Sequence, residues 1–166
     1  ELQTPVFVML DLDLGMNYWT TDKFEYPTAP MKRGKVLSKE DLDRLEGFGR
    51  YADIDGDGIP YRTLPGTRHP KAAYFTRGTG HTAQAMYSEK EADWVRNMER
   101  LERKFDTART MVPSPIIDRT EGATIGIISC GTSVHAVEES QDQLEREHGV
   151  KTSHLRVRAF PFSSDV

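Results

Sequence analysis

The sequence predicts an α/β fold in three parts, and three observations predict it. A continuous apolar run occupies residues 5–10, two helical patterns separated by irregular sequence fill most of residues 20–115, and a strand-helix-strand pattern begins near residue 123. An apolar run of this length is typical of a strand that is buried on both faces of a parallel sheet. We therefore expect one buried strand, a long irregular connector with two helices, and the Rossmann-like β-α-β start of a further domain.

The first predicted element is the strand Pro5-Val6-Phe7-Val8-Met9-Leu10, which Asp11 follows. A lone strand cannot cover both of its own faces, so we expect its sheet neighbours to precede Glu1 in a longer polypeptide. Asp11 and Asp13 would then lie at the edge where open α/β sheets bind ligands. These two carboxylates have a functional role there or cap the following backbone, and capping is the preferred interpretation.

The two helices of the connector are predicted from their N-caps and apolar spacing. Ser38 begins the first as an N-cap, with Asp41 three residues on, and the helix should end near Gly47 or Gly49. The second should begin with a capping box of Ser88 and Glu91. Its apolar positions are spaced by four, three, four and three residues: Trp94, Met98, Leu101, Phe105 and Ala108. This stripe should pack on the parent domain or on a partner subunit.

The β-α-β unit is predicted from about residue 123 onward. Residues 125–130 form an apolar strand, residues 131–133 a tight turn, and a helix follows that should close at His148-Gly149. The next strand runs over residues 152–159, and a crossover of this length implies a parallel, right-handed connection. Gly131 would allow amides at the helix start to face an anion, but a structural turn is the default because the full dinucleotide fingerprint is absent.

Residues 50–81 are rich in glycine, aspartate and arginine and have almost no apolar period, which predicts a shaped loop. Asp53, Asp55 and Asp57, followed by Gly58, resemble the opening of a calcium loop. Leu64 stands at the twelfth position, where that loop requires a bidentate glutamate. The alternative is a turn whose aspartates accept backbone N–H groups, and it is the preferred one.

The same loop ends in Arg77-Gly-Thr-Gly-His81. Arg77 suits a substrate carboxylate, and the imidazole of His81 exchanges protons near neutral pH. Arg77 would otherwise pair with one of the aspartates from Asp53 to Asp57 and pin the loop. The residues alone leave both interpretations open.

Composition excludes several classes of protein. The 166-residue chain has a net charge of −4 and 37% hydrophobic residues, with no run of about 20 apolar residues that would cross a bilayer. Its basic residues are matched by acidic ones, so we expect neither nucleic-acid nor membrane binding. The single Cys130, expected in a small core position, excludes a disulfide within the chain and favours a reducing, cytoplasmic location.

The sequence motifs resemble those of one enzyme family. Most specific are DGDGIPYRTLPGT and YFTRGTGH, supported in order along the chain by PVFVMLDLDLGMN, RGKVLSKEDL, RLERKFDTAR, VPSPII and IGIISCGTSVHAVEESQDQL. Together they resemble the α subunit of 2-oxoacid:ferredoxin oxidoreductases, in the 2-oxoglutarate:acceptor branch. The resemblance covers nearly the whole chain.

That resemblance implies a thiamine-diphosphate enzyme that decarboxylates 2-oxoglutarate, forms the acyl-coenzyme A and reduces ferredoxin. The cofactor, with Mg²⁺, would be shared with a β subunit that also carries an iron–sulfur cluster. Residues 1–19 would be the tail of a thiamine-pyrimidine-type domain, residues 20–120 the inter-domain connector, and residues 121–166 the start of a transketolase C-terminal-like domain. The isolated chain is expected to be inactive and not to bind the cofactor alone.

The resemblance assigns no catalytic residue to this chain, because the expected carboxylate would lie upstream of Glu1. It implies that Arg62, Arg77 and His81 contact the anionic substrate or the coenzyme, and that Asp53, Asp55 and Asp57 order the loop. Two functions of other classes stay open: a calcium-dependent interaction module and a nucleotide-binding Rossmann-like domain.

Overall fold

The computed structural model describes residues 1–75 and 78–163. Its contacts group the chain into two compact units. The first, here called the loop unit, comprises residues 1–5 and 27–108, and the second, the sheet unit, comprises residues 6–26 and 109 onward. The predicted division into residues 1–19, 20–120 and 121–166 stays a prediction.

The sheet unit contains a three-stranded sheet of β1 (Ile116–Asp118), β2 (Ile125–Cys130) and β3 (Thr152–Val157). The strand order is β1-β3-β2, with β2 parallel and β1 antiparallel to β3. The predicted β-α-β unit is therefore confirmed. Strand β1 was not predicted, because three residues that directly follow the sequence Val-Pro-Ser-Pro are too few to show a strand pattern.

Helix α4 (Val134–His148) connects β2 to β3 and ends where the sequence predicts. Gly149 follows with φ 64°, and its N–H donates to the carbonyls of Glu145 and Leu144, a helix end that favours glycine. Gln141 Nε2 fixes the helix to β3 by donating to the carbonyl and hydroxyl of Thr152, at 2.9 and 3.0 Å. The expectation for Cys130 was wrong: it is exposed.

Residues 5–10 differ most from expectation, since they form no strand within the described chain. Val6, Phe7, Val8 and Met9 are each at least 79% exposed. The prediction of a strand is therefore wrong for this structure, and burial of the run in a larger domain stays a prediction. The physical reason is that no described segment pairs with the run, and a strand without ladder partners has neither hydrogen bonds nor a covered face. The short helix α1 (Leu12–Met16) follows.

Helix α2 (Lys39–Arg44) of the loop unit begins as predicted. Ser38 and Asp41 form the reciprocal capping box, and Leu42 is completely buried. The helix ends earlier than expected, because Leu45 already has extended backbone (ψ 130°). The helix is therefore short, at six residues, and it places the side chain of Leu42 in the core of the unit.

Helix α3 (Glu91–Arg109) is the long helix of the loop unit. The predicted capping box of Ser88 and Glu91 was wrong. Ser88 Oγ instead donates to Asp93 at 2.6 Å and accepts from the N–H of Lys90 at 3.2 Å, so the helix starts three residues after Ser88. None of the helices among the described residues is long and apolar enough to cross a membrane.

Within this chain the predicted apolar stripe of α3 is mostly exposed, although Ala108 is buried, and its packing on a parent domain or a partner subunit stays a prediction. Its apolar residues Trp94, Met98 and Phe105 are 58%, 39% and 50% exposed. A polar face is buried instead, with side chains at four-, three- and four-residue spacing: Asp93, Asn97, Arg100 and Lys104. The reason is the chemistry of the loop against which this face packs.

Candidate functional site

The polar face of α3 is buried because the loop facing it carries carbonyl groups that lack secondary-structure partners. Asn97 donates to the carbonyl of His81 at 2.9 Å and Arg100 to that of Gly58 at 3.1 Å. Lys104 Nζ donates to the carbonyl of Gln3 at 3.2 Å. Irregular buried backbone has to be satisfied by side chains, and an apolar helix face has no donors to offer. The first two bonds join the helix to the loop of residues 50–81, and the third joins it to the N-terminal segment at Gln3.

Gly58 allows the loop to approach the helix backbone. Its φ is +76°, and a Cβ placed on it would overlap the backbone nitrogen of Lys104 and the carbonyl oxygen of Arg100. Any larger residue would push the loop off the helix. The N–H of Gly58 donates to Asp53 Oδ1 at 2.9 Å, so an aspartate side chain fixes the same turn.

The three aspartates are each held by groups within the loop unit. Asp53 accepts from Arg103 Nε at 2.9 Å. Asp57 Oδ1 accepts from the N–H of Ile59 at 2.9 Å and from Lys35 at 2.7 Å. Lys35 also bonds Asp55, at 2.6 Å. The backbone bonds to Asp53 and Asp57 are those that the turn interpretation expects.

Lys35 interacts electrostatically with Asp55 and Asp57 of this loop. Its hydrogen bond holds the pKa of Asp55 below its usual value, with a further contribution from the hydroxyl of Tyr61. Burial alone would lower the pKa of Lys35, but the bonds to Asp55 and Asp57 outweigh it and raise that pKa. Among the described residues no three His, Cys, Asp or Glu side chains are grouped as a metal site. Cation binding by Asp53, Asp55 and Asp57 stays a prediction.

Tyr51 lies among cationic side chains. The guanidinium carbons of Arg50 and Arg100 are 5.1 and 5.7 Å from the centroid of its ring, which are cation–π distances. The imidazole of His81 stacks on the same ring, with centroids 3.7 Å apart and planes within 19°. This arrangement fixes His81 in the loop unit and places positive charge around it.

Some hydrogen-bond donors of Arg50 and Arg100 have no acceptor among the described residues. Arg100 and Lys104 are each 7% exposed, and Arg100 Nε and Arg50 Nη1 are buried without a hydrogen-bond partner among the described residues. Burial lowers the pKa of Arg100, and nearby Asp53 opposes that effect. Burial also lowers the pKa of Lys104, and the positive charges of Arg100 and Arg50 lower it further. The arrangement is suited to receive negative charge.

The three residues proposed for substrate or coenzyme contact have different positions. Arg77 is outside the described residues. Arg62 is half-buried, donates through Nη2 to the carbonyl of Arg33 at 2.9 Å, and has a buried Nε without a partner. His81 is half-buried on Tyr51, and its Nδ1 lies 3.2 Å from the carbonyl of Thr82. Because a carbonyl only accepts, Nδ1 carries the proton, and Nε2 has no recorded partner within the described residues.

The sheet unit has its own cavity, of about 200 Å³, at the end of β2. Trp19 and His135 line it and stack on each other, with centroids 5.5 Å apart. At its edge the carboxylate of Asp11 accepts from the N–H and the hydroxyl of Thr132, at 2.7 and 2.8 Å. The carboxylate of Asp11 therefore binds the backbone N–H that an anion at this turn would need, which supports a structural role for the Gly131 turn. Capping by Asp11 is confirmed, because Asp11 is the N-cap of α1 and accepts from the N–H of Leu14.

Sequence reasoning missed Lys35, Arg50, Tyr51, Arg100 and Lys104. A signal for the last two was present, because the polar residues of α3 repeat with the same four-three-four spacing as its apolar ones. The spacing fixes two parallel stripes but does not say which one faces the loop. Lys35, Arg50 and Tyr51 are in irregular sequence, where no period indicates contact.

None of the protein-family models and none of the curated proteins compared with the chain matches it. A solved structure does: the 2-oxoglutarate:ferredoxin oxidoreductase from Magnetococcus marinus with 2-oxoglutarate, coenzyme A and succinyl-CoA bound. The sequences are 23% identical, the TM-score is 0.60, and the match covers 72% of this chain and 21% of that chain. The likeness shows a shared fold, and this chain spans about a fifth of that protein.

Proposed function

We propose that this chain is part of the α subunit of a thiamine-diphosphate-dependent 2-oxoacid:ferredoxin oxidoreductase, with 2-oxoglutarate as the substrate. The observation that carries the proposal is the fold similarity over 72% of the chain to an enzyme of this activity. The motifs DGDGIPYRTLPGT and YFTRGTGH support it independently, because they are not general features of α/β domains. The proposed reaction is oxidative decarboxylation to the acyl-coenzyme A, with ferredoxin as electron acceptor.

In this proposal the loop unit supplies contacts to the anionic substrate or coenzyme rather than catalytic groups. Arg62, Arg77 and His81 are the residues assigned to those contacts. The geometry favours His81, whose ring is held by Tyr51 on one side and by the carbonyl of Thr82 at Nδ1. Nε2 is thereby oriented and can accept a proton or a hydrogen bond.

The cofactors of the proposed enzyme are thiamine diphosphate with Mg²⁺ and an iron–sulfur cluster. The residues of this chain do not fit the cluster, since it needs several cysteine thiolates and Cys130 is the single cysteine. No metal-ligand group occurs among the described residues. The family resemblance assigns the cluster and the diphosphate-Mg²⁺ side to a β subunit, and we derive no catalytic step from this chain.

The proposal is tested by purifying the native complex through an affinity tag on this chain. We expect a second subunit to co-purify, with bound thiamine diphosphate and an iron–sulfur chromophore. The complex should reduce ferredoxin when 2-oxoglutarate and coenzyme A are both supplied, and should form succinyl-coenzyme A. A complex without thiamine diphosphate would contradict the proposed function. An active complex that prefers another 2-oxoacid would contradict only the substrate.

A further inference from the structure

Two buried cations, Arg100 and Lys104, and the half-buried Arg50 form a group with few acidic neighbours. Arg50, Arg100 and Lys104 interact electrostatically with one another, and the acidic group that acts on Arg100 is Asp53. Asp53 is already engaged, since its two oxygens accept from the N–H of Gly58 and from Arg103 Nε. The carboxylate that acts on Arg100 is therefore already used by another arginine.

The donors of this cluster are also incompletely used. Arg100 is 7% exposed, and its Nη1 donates to the carbonyl of Gly58. Its Nε has no hydrogen-bond partner among the described residues. Nη1 of Arg50 is also buried without a hydrogen-bond partner among the described residues. Leaving a buried charged donor unpaired is costly, because the group loses water and gains no replacement. Two such donors beside one tyrosine ring therefore indicate a missing acceptor.

We propose that Arg50, Arg100 and Lys104 form a binding site for a phosphate-type oxyanion. A compact dianion supplies several acceptor oxygens at one point, matches the uncompensated charge, and accepts from guanidinium N–H groups in the fork geometry that arginine favours. A monocarboxylate would leave part of the charge uncompensated, and a dicarboxylate would place its two charges several bonds apart. The site is built within the loop unit, and the proposal does not depend on the enzyme function given above.

The test uses the 166-residue chain and inorganic phosphate as the probe. Thermal unfolding is measured in phosphate and in chloride at matched ionic strength, and affinity is measured by isothermal titration calorimetry. We expect phosphate to raise the melting temperature specifically and to bind at one site. Arg50→Gln should weaken that affinity by about tenfold or more, since a charge-assisted bond is lost. Arg44→Gln, which removes an equal but exposed charge, should bind as the wild type does.

Arg100→Met should abolish the phosphate-specific shift while chloride unfolding stays cooperative. If that variant does not fold, Arg50→Gln and Lys104→Met decide, and circular dichroism in chloride establishes that they are folded. The proposal is overturned if phosphate gives the wild type no shift beyond chloride, or if folded Arg50→Gln and Lys104→Met both bind phosphate with wild-type affinity. It is also overturned if succinate binds the wild type and phosphate does not.

Discussion

The carboxylate of Asp11 bonds both the backbone N–H and the hydroxyl of Thr132, a residue 121 positions further along the chain. Its other oxygen accepts from the N–H of Leu14 at 2.9 Å, so one side chain caps α1 and also holds the turn that begins α4. Gly131 makes room for this contact, because a Cβ there would overlap the Asp11 carboxylate. Residues 11–16 are thereby fixed to the β-α-β unit.

The Asp11 contact makes the stability of the sheet unit dependent on pH. The N–H of Leu14, and then the N–H and hydroxyl of Thr132, lower the folded-state pKa of Asp11. Stability from this carboxylate is present above the unfolded pKa of about 3.9 and is lost as pH falls through the lower folded value. Asp11→Ala should lower the melting temperature at pH 7, and its difference from wild type should shrink below about pH 4.

Trp19 reports this transition because it lies in the sheet unit, where it stacks on His135. Fluorescence should be followed in a Trp94→Phe background, which leaves Trp19 as the single tryptophan. Asp22→Asn, which removes an exposed carboxylate elsewhere in the same unit, is the matched control and should leave the melting temperature unchanged. A pH-independent difference between Asp11→Ala and wild type would contradict the capping role.

Two glycines of the loop provide a matched test of its approach to α3. Gly56 and Gly58 both have φ +76°, but nothing lies within 4 Å of a Cβ on Gly56, whereas one on Gly58 would overlap the backbone of α3. Gly56→Ala should cost about 1–2 kcal/mol, which is the backbone strain alone. Gly58→Ala should cost more than about 4 kcal/mol, because the loop has to leave the helix. Chemical denaturation followed by Trp94 fluorescence in a Trp19→Phe background measures both, and equal costs would show that the close approach is not formed.

The two faces of α3 should respond to mutation in opposite ways. Asn97 is 9% exposed and donates to the carbonyl of His81, so Asn97→Ala should cost about 1–3 kcal/mol of unfolding free energy. Phe105 is 50% exposed, and Phe105→Gln should change that free energy by less than about 0.5 kcal/mol. Denaturation of both variants with the same Trp94 signal tests this. A larger loss for Phe105→Gln would mean that the apolar stripe is covered in solution.

Elements with a local signal could be predicted from the sequence, and elements decided by distant partners could not. The β-α-β unit and the start of α2 at Ser38 depend on periodicity and capping within a few residues. Residues 5–10 form no strand because pairing needs a second segment. For α3 the sequence fixes the helix but not its buried face, which the carbonyls of Gly58 and His81 select. In the site, Asp53 and Asp57 could be predicted as turn residues, but Lys35 could not be predicted as their partner.

Calcium titration distinguishes a calcium module from the loop seen here. Asp55 and Asp57 share Lys35, and Leu64 stands where a calcium loop has its glutamate. We expect the wild type to give no calorimetric heat at micromolar Ca²⁺. Lys35→Met removes the cation that both carboxylates share and should bind Ca²⁺ at best in the millimolar range, because the bidentate ligand is missing. Lys39→Met, which removes the lysine partner of the exposed Asp43 instead, is the control. Micromolar binding by the wild type would establish the calcium module.

His81 is the described residue best placed to affect substrate use in the proposed enzyme. Replacing it by Gln keeps a hydrogen-bonding group but removes the ring stacked on Tyr51. In the tagged native complex, His81→Gln should lower kcat/KM for 2-oxoglutarate or for coenzyme A by about tenfold or more, since one contact to a charged group is weakened. The melting temperature is measured beside it. His69→Gln is the control, because His69 pairs with Asp43 near α2 and is assigned no ligand contact. Equal kcat/KM values for wild type and His81→Gln, with a lowered melting temperature, would show that His81 only stabilises the loop.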